Sequence, residues 1–265
     1  MAVTVPAPAV RASRHILGMR VDATTYEGAA ERIMAWARAG ESRTVCVGTV
    51  HMVMEAHDDP GFREAVNGAD LVTSDGMPLV WGLRLLGVPG ATRVYGPDLT
   101  PVVCARAAAA GIPVGFHGGR PEALAGLLER VRRDHPGLRV VYAESPPFGE
   151  LTPERLEREA EAIAASGARV LFVGLGCPKQ ERWMAAQRGR VPAVMLGVGA
   201  AFDFLAGTKR QAPRWMQRAG LEWAFRLATE PRRLWRRYLA NNPRFLVLFG
   251  AQVLRERLGR GGIER

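Results

Sequence analysis

Ala69-Asp70-Leu71-Val72-Thr73-Ser74-Asp75-Gly76-Met77-Pro78 reads as a short strand that runs into a turn at Asp75-Gly76 and then opens a helix. Proline suits the first turn of a helix, because the N–H it lacks would have no partner there. The same strand-then-helix unit recurs up to about residue 200. Strand candidates at 16–21, 44–48, 70–73, 113–117, 139–143, 170–175 and 193–198 alternate with helix candidates at 26–39, 60–67, 78–86, 99–110, 121–134, 153–165 and 178–188. This alternation predicts an α/β fold, a mostly parallel Rossmann-like sheet with helices on both faces. In such sheets ligands bind beyond the carboxyl ends of the strands.

Past Phe204 the pattern changes to helices rich in Arg and Trp. The net charge of +10 is concentrated there: 14 Lys/Arg stand against 4 Asp/Glu over 205–265, and the rest of the chain holds 22 of each sign. A neutral body with a basic tail points to a polyanionic surface, either anionic lipid or nucleic acid. Thr229-Glu230-Pro231 reads as a helix start. In the helix that follows, Arg232, Arg233, Arg236 and Arg237 fall within roughly 140° of arc, with Leu234, Trp235, Tyr238 and Leu239 opposite. Asn241-Asn242-Pro243 is expected to end it. The predicted organisation is a tail over 1–14, an α/β domain over 15–204, and a helical basic appendage over 205–265.

Hydrophobic content of 48% and charged content of 23% are ordinary for a globular protein. Cys46, Cys104 and Cys177 lie too far apart for a CxxC or zinc spacing and read as reduced and structural. No run of about 18–20 apolar residues is present, and the first residues lack the apolar run of a signal peptide. The expected location is cytoplasmic.

Asp75, at the end of its strand, is either a helix cap or a general base poised at the crevice; a nearby helix end would keep it ionised. Gly118-Gly119, between strand 113–117 and a helix opening at Pro121, is either an ordinary tight turn or a backbone cradle for a diphosphate. Gly174-Leu175-Gly176-Cys177-Pro178-Lys179-Gln180-Glu181 closes a further strand. It brings Lys179 and Gln180 to the same edge as donors to phosphate or sugar hydroxyls, with Glu181 serving the helix dipole. Gly197-Val198-Gly199 is not a dinucleotide fingerprint, since Phe202 occupies the third glycine position and no ribose-binding acid follows. There is no Asp-x-Asp motif, Walker sequence or zinc spacing, so no metal or other cofactor is expected, and phosphate charge must be met by Arg, Lys and backbone amides.

These residues resemble the WecG/TagA/CpsF glycosyltransferase family. The likeness runs from about Ile16 to Arg237. It rests on V-H-M-V-M-E-A-H-D-D-P (50–60), A-D-L-V-T-S-D-G-M-P-L-V (69–80), R-V-Y-G-P-D-L (93–99), G-C-P-K-Q-E (176–181), G-A-A-F-D-F-L-A-G (199–207) and R-A-G-L-E-W-A-F-R-L-A-T-E-P-R-R (218–233). The resemblance implies an inverting enzyme that moves an N-acetylmannosamine-type or related sugar from a UDP-sugar to an undecaprenyl-diphosphate-linked sugar. Such products enter teichoic acid or other cell-surface polysaccharide. It places the base on Asp75, substrate contacts on Arg93 and Gln180, and membrane-docked arginines on Arg226, Arg232, Arg233, Arg236 and Arg237. Where the family often carries Thr-x-Asn, this chain reads Val47-Gly48-Thr49, so Thr49 offers a hydroxyl in place of an amide.

The mechanism these readings support is a single displacement without a metal. Asp75 deprotonates the acceptor, Thr49 and Gln180 orient sugars, and Arg93, Lys179 and the tail arginines meet the leaving diphosphate. The basic helix would lie on an anionic membrane, on the inner face of the plasma membrane, arginines toward headgroups and Trp235 and Tyr238 toward the acyl boundary. A homo-oligomer stays open. Nucleic acid is not an expected partner, because no aromatic–basic platform on a sheet is apparent. A non-catalytic membrane- or nucleic-acid-binding module is the alternative reading, and it leaves the polar groups at the strand ends unexplained.

Overall fold

A computed structural model describes residues 12–147 and 149–261. Most of the tail expected over 1–14, and the last four residues of the chain, lie outside the described residues. The chain opens with a hairpin, β1 (Ala12–Ile16) and β2 (Met19–Ala23), where a single strand over 16–21 was expected. Leu17 and Gly18 form its two-residue turn, with φ of 50° and 88°. Positive φ at both central positions fits the twist of a tight hairpin, and Gly18 is the one local sign of it in the sequence.

The body then reads α1 (Tyr26–Ala39), β3 (Arg43–Gly48), α2 (Val50–Asp58), α3 (Pro60–Asn67), β4 (Leu71–Ser74), α4 (Met77–Leu85), α5 (Gly96–Ala109), β5 (Val114–Gly118) and α6 (Pro121–Asp134). It continues with β6 (Val140–Glu144), α7 (Pro153–Ser166), β7 (Val170–Gly174), α8 (Lys179–Gln187), β8 (Val194–Gly197) and α9 (Ala201–Leu205). Six strands form one sheet in the order β4-β3-β8-β7-β5-β6, and every neighbouring pair is parallel. The expected α/β class therefore holds. Two apolar cores flank the sheet: Met54, Phe62, Leu79 and Trp183 on one side, Ile33, Leu99, Phe116 and Phe202 on the other. Burial on both faces explains why the central strands read as continuous apolar runs.

After α9 come α10 (Arg214–Arg218), α11 (Glu222–Thr229) and α12 (Pro231–Gly261). The last helix does not stop at Asn241-Asn242-Pro243; Pro243 lies inside it. Proline removes one intrahelical bond, and packing on both sides of it holds the helix. Leu234, Phe245 and Phe249 are buried, Phe245 stacks on Phe249 with centroids 5.5 Å apart, and both rings join the body's core. At Gly82 of α4 a Cβ would come within 3.2 Å of Phe249, so the bare backbone there makes room for α12. Gln252 ties the helix to the hairpin by accepting from the Leu17 N–H at 2.9 Å and donating to the His15 carbonyl at 2.8 Å.

This packing rotates α12 away from the expected arrangement. Leu234 turns inward, whereas Trp235 and Leu239, expected on the same apolar arc opposite the arginines, are exposed beside Arg232 and Arg236. Arg237 is partly buried on the inner side and Arg233 borders the cleft described below. The four arginines are thus split into two pairs. Among the described residues no helix is long and apolar enough to cross a membrane.

Candidate active site

Five strands of the sheet, the edge strand β4 among them, deliver the residues at their C-terminal ends to one crevice. Thr49 follows β3, Asp75 follows β4, Gly119 follows β5, Leu175 and Gly176 follow β7, and residues 198–201 follow β8. Helices α11 and α12 close the crevice from above. The result is two clefts of about 360 Å³ each that share Thr49, Asp75, Glu222, Arg226 and Arg237 as a common seam. The first runs over the glycine-rich strand ends and is bordered by Arg120, Lys179, Lys209 and Arg233. The second runs between α4 and the C-terminal helices and is walled by Met77, Trp81, Trp223, Tyr238 and Phe245.

Asp75 is not the cap of α4. Gly76 holds the cap position and receives no side-chain bond. The Asp75 carboxylate turns instead toward α5, accepting from the Gly96 N–H at 3.3 Å and facing Arg93 at 3.4 Å. Its backbone N–H donates to the Gly48 carbonyl at 2.9 Å, which fixes the turn between β4 and α4. Burial pushes its carboxyl up to about 7; Arg93 opposes the shift and the Glu222 carboxylate adds to it. This corrects the expectation of a carboxylate held ionised by a helix end. The N-terminus of α5 does favour the anion, but desolvation and a like charge outweigh it.

Arg93 is held by carboxylates. Its guanidinium reaches Glu222 at 2.6 Å and Asp75 at 3.4 Å, donates to the Asp75 carbonyl, and lies 4.0 Å from the Tyr95 ring centroid. Tyr95 in turn donates to Glu222 at 3.1 Å. Arg93 therefore bridges the strand-end acid to α11 and is not a free cation in the crevice. Glu222 was missed in the sequence. Its one signal is an acid in a tail that carries only four.

Arg226 and Arg237 stand in the opposite condition. Their Nε atoms are buried without a hydrogen-bond partner. Among the described residues neither forms an ion pair, and Arg226 rests 5.5 Å from the Phe204 ring centroid. Burial, with Arg226 and Arg233 nearby, pushes the Arg237 guanidinium below its ordinary range. Arg233 is different again, paired with Glu230 at 2.7 Å. Arg232 and Arg236 face solvent and border neither cleft.

Of the remaining predicted residues, Thr49, Lys179 and Gln180 border the first cleft, and each also makes a local hydrogen bond. Thr49 caps α2, accepting from the Met52 N–H at 3.3 Å, and keeps its hydroxyl hydrogen for the seam. Gln180 is buried; its carbonyl accepts from the Gly176 N–H at 3.2 Å and its amide donates to Glu181 at 2.7 Å, so it braces the loop after β7. Glu181 is buried beneath the crevice, its carboxyl raised to about 7 by burial. Lys179 borders the first cleft and donates to the Gly149 carbonyl at 2.6 Å. The glycine pair is not a free cradle. The Gly119 N–H is engaged by the Gly174 carbonyl at 3.0 Å, and Gly118 does not border the cleft. A Cβ at Gly118, where φ is 113°, would sit 2.7 Å from the Gly174 backbone, so this glycine serves strand packing.

A strand-end acid and two guanidinium groups without an ion-pair partner border both of the clefts that meet here, an arrangement with room for a phosphorylated molecule and a second one beside it. The chain matches the Glycosyl transferase WecG/TagA/CpsF family over residues 14–260. It is 35% identical over 188 residues to the N-acetylglucosaminyldiphosphoundecaprenol N-acetyl-beta-D-mannosaminyltransferase of Bacillus spizizenii, an alignment covering 70% of each chain. The chain belongs to the WecG/TagA/CpsF family and is a glycosyltransferase.

Proposed function

We propose that the enzyme moves an N-acetylmannosamine-type sugar from a UDP-sugar to a polyprenyl-diphosphate-linked N-acetylglucosamine, by inversion and without a metal, in the synthesis of a cell-surface polymer. The observation that carries this reading is the seam, where Asp75, Arg226 and Arg237 border both clefts. The relative from Bacillus spizizenii is named for transfer of an N-acetyl-β-D-mannosaminyl group to a lipid-linked N-acetylglucosamine. A β-linked product from an α-linked donor requires one displacement at the anomeric carbon.

In that step Asp75 takes the proton of the acceptor hydroxyl and the oxygen bonds to the anomeric carbon. The bond from that carbon to the diphosphate oxygen breaks, and the nucleoside diphosphate departs with the electron pair. A base with a pKa near 7 is ionised in about half the molecules at neutral pH and still basic enough to accept the proton, which is the compromise general-base catalysis favours. Arg233, Lys179 and Lys209, which border the first cleft, offset the charge that grows on the leaving group. The body over 15–204 supplies the base and the C-terminal segment over 205–265 supplies the seam arginines, with Arg232, Arg236, Trp235 and Leu239 turned toward an anionic membrane surface.

The test is release of UDP by purified protein supplied with UDP-N-acetylmannosamine and a lipid-linked N-acetylglucosamine, followed by NMR of the new linkage. Release that depends on both substrates, survives excess EDTA and yields a β-linkage supports the reading. An α-linked product, or activity lost on chelation and restored by Mg²⁺, overturns the corresponding part of it.

A further inference from the structure

The second cleft differs from the first in the character of its walls. Four of the large apolar side chains exposed on the surface, Trp81, Leu221, Trp223 and Leu246, all border it. Exposed apolar groups scattered singly need no explanation, but four around one opening mark a binding surface. Trp81 is locked in place. At Gly220, where φ is 71°, a Cβ would lie 2.5 Å from the indole, so the ring rests directly on glycine backbone. The His51 imidazole in the same wall is held neutral, lowered to about 3 by burial and by Arg237. The inner end of the cleft is the seam, where Arg226 and Arg237 lack an anionic partner.

An apolar channel ending at two unpaired guanidinium groups is complementary to a molecule with an anionic head and an apolar tail. We propose that the second cleft binds the leading isoprene units of the acceptor lipid, with the lipid's diphosphate on Arg226 and Arg237 and its sugar hydroxyl directed across the seam to Asp75. This deepens the function proposed above and rests on it. A volume of about 360 Å³ is near the small end of ligand pockets, which span about 300–1,000 Å³. The cleft therefore takes the first units of a polyprenyl chain, and the remainder leaves past Leu246 along the exposed side of α12.

Binding of farnesyl diphosphate and of inorganic diphosphate to the full chain, by calorimetry without any sugar donor, tests this apart from the reaction. The farnesyl compound should bind at least about tenfold tighter, since several buried CH₂ groups each contribute. In the double variant Trp81→Ala/Leu246→Asn that advantage should collapse to near unity. It should persist in Trp81→Phe/Leu246→Met, and in Leu258→Asn on the distal part of α12. Circular dichroism melting curves matching wild type establish that each variant is folded. Equal affinity for the two probes in wild type, or an advantage that survives the double variant, overturns the proposal. So does a concentration-dependent dimer that the double variant abolishes, because the cleft would then be covered by a second copy of the chain. If the farnesyl advantage behaves as expected while no lipid-linked sugar supports UDP release, the cleft stands and the proposed reaction falls.

Discussion

Arg93 and Arg237 face the same crevice and are opposites. Arg93 is saturated by two carboxylates and a tyrosine ring, within 4 Å in each case. Arg237 is mostly buried, has an orphaned Nε and forms no ion pair among the described residues. A buried charge without a counter-charge is costly, whereas a buried pair can offset its own desolvation. The difference separates structure from binding: Arg93 holds the acid of β4 to α11, and under the function proposed above Arg237 takes an anion that arrives with substrate.

The largest effect should come from the acid that Arg93 holds. Asp75→Asn should lower turnover by at least about a hundredfold, the lower range for loss of a general base, while UDP affinity changes little. The same substitution should stabilise the fold above neutrality. A carboxyl raised to about 7 keeps its proton in the folded state over a range where the unfolded chain has released it. Wild-type stability from this group is therefore full below about pH 4, falls between about 4 and 7, and is flat above. Asn removes that loss, so the melting temperature should exceed wild type at pH 8 and the gap should narrow at pH 5. Near-normal turnover would leave Asp75 a structural acid.

Next come the two arginines, compared directly. Arg237→Ala should weaken catalysis by roughly ten- to a hundredfold, the equivalent of one charge-assisted hydrogen bond. It should leave ligand-free stability unchanged or higher, since it removes a desolvated cation. Arg93→Ala should destabilise the ligand-free protein, because Asp75 and Glu222 then face each other uncompensated. Urea unfolding midpoints without substrate decide the matter, and a loss of similar size in both variants would erase the distinction between them.

Much of this was legible in the sequence. Parallel strands buried on both faces leave long apolar runs, proline marks helix starts, and the residues at strand ends could be placed in one crevice before any coordinates. What escaped was set by tertiary packing. Glu222 sits 129 residues from Arg93, and local pattern carries no record of such a pairing. The face of α12 was misjudged because helical periodicity gives relative angles among side chains, not which arc turns inward. Phe245 and Phe249 decided that, beyond a proline expected to end the helix. Gly118 and Gly119 looked like a phosphate cradle, since a glycine needed for packing and one needed for ligand approach read alike.

A smaller effect sharpens the role of Glu222. Around Asp75 stand Arg93, the Gly96 N–H, Glu222 and the Tyr95 hydroxyl that Glu222 holds. Glu222→Gln removes the like charge and leaves Arg93 to Asp75 alone, and both changes favour the ionised base. The acidic limb of kcat/KM should move to lower pH, with a decline in kcat above neutrality because the base is weaker. Glu222→Asp, which keeps the charge, should restore the limb toward its wild-type position. A profile that drops in height without moving would make Glu222 a purely structural tie.

The least effect on chemistry and the clearest on location should come from the outer face of α12. At 100° per residue, Trp235, Leu239 and Leu246 lie within about 40° of one another, and Arg232 and Arg236 fall on the same side. All five are exposed. Basic groups interleaved with exposed apolar ones suit the boundary between headgroups and acyl chains. A basic residue near an anionic leaflet contributes about 1 kcal/mol, so Arg232→Glu/Arg236→Glu should weaken binding to phosphatidylglycerol vesicles by at least about thirtyfold. Neither side chain borders a cleft, so turnover on a short water-soluble acceptor should stay close to wild type while turnover on a vesicle-embedded acceptor falls with binding. Co-sedimentation at physiological salt beside the two assays tests this. Unchanged vesicle binding would return the outer face to a solvated surface, and equal losses on both acceptors would mean that these arginines reach the substrate after all.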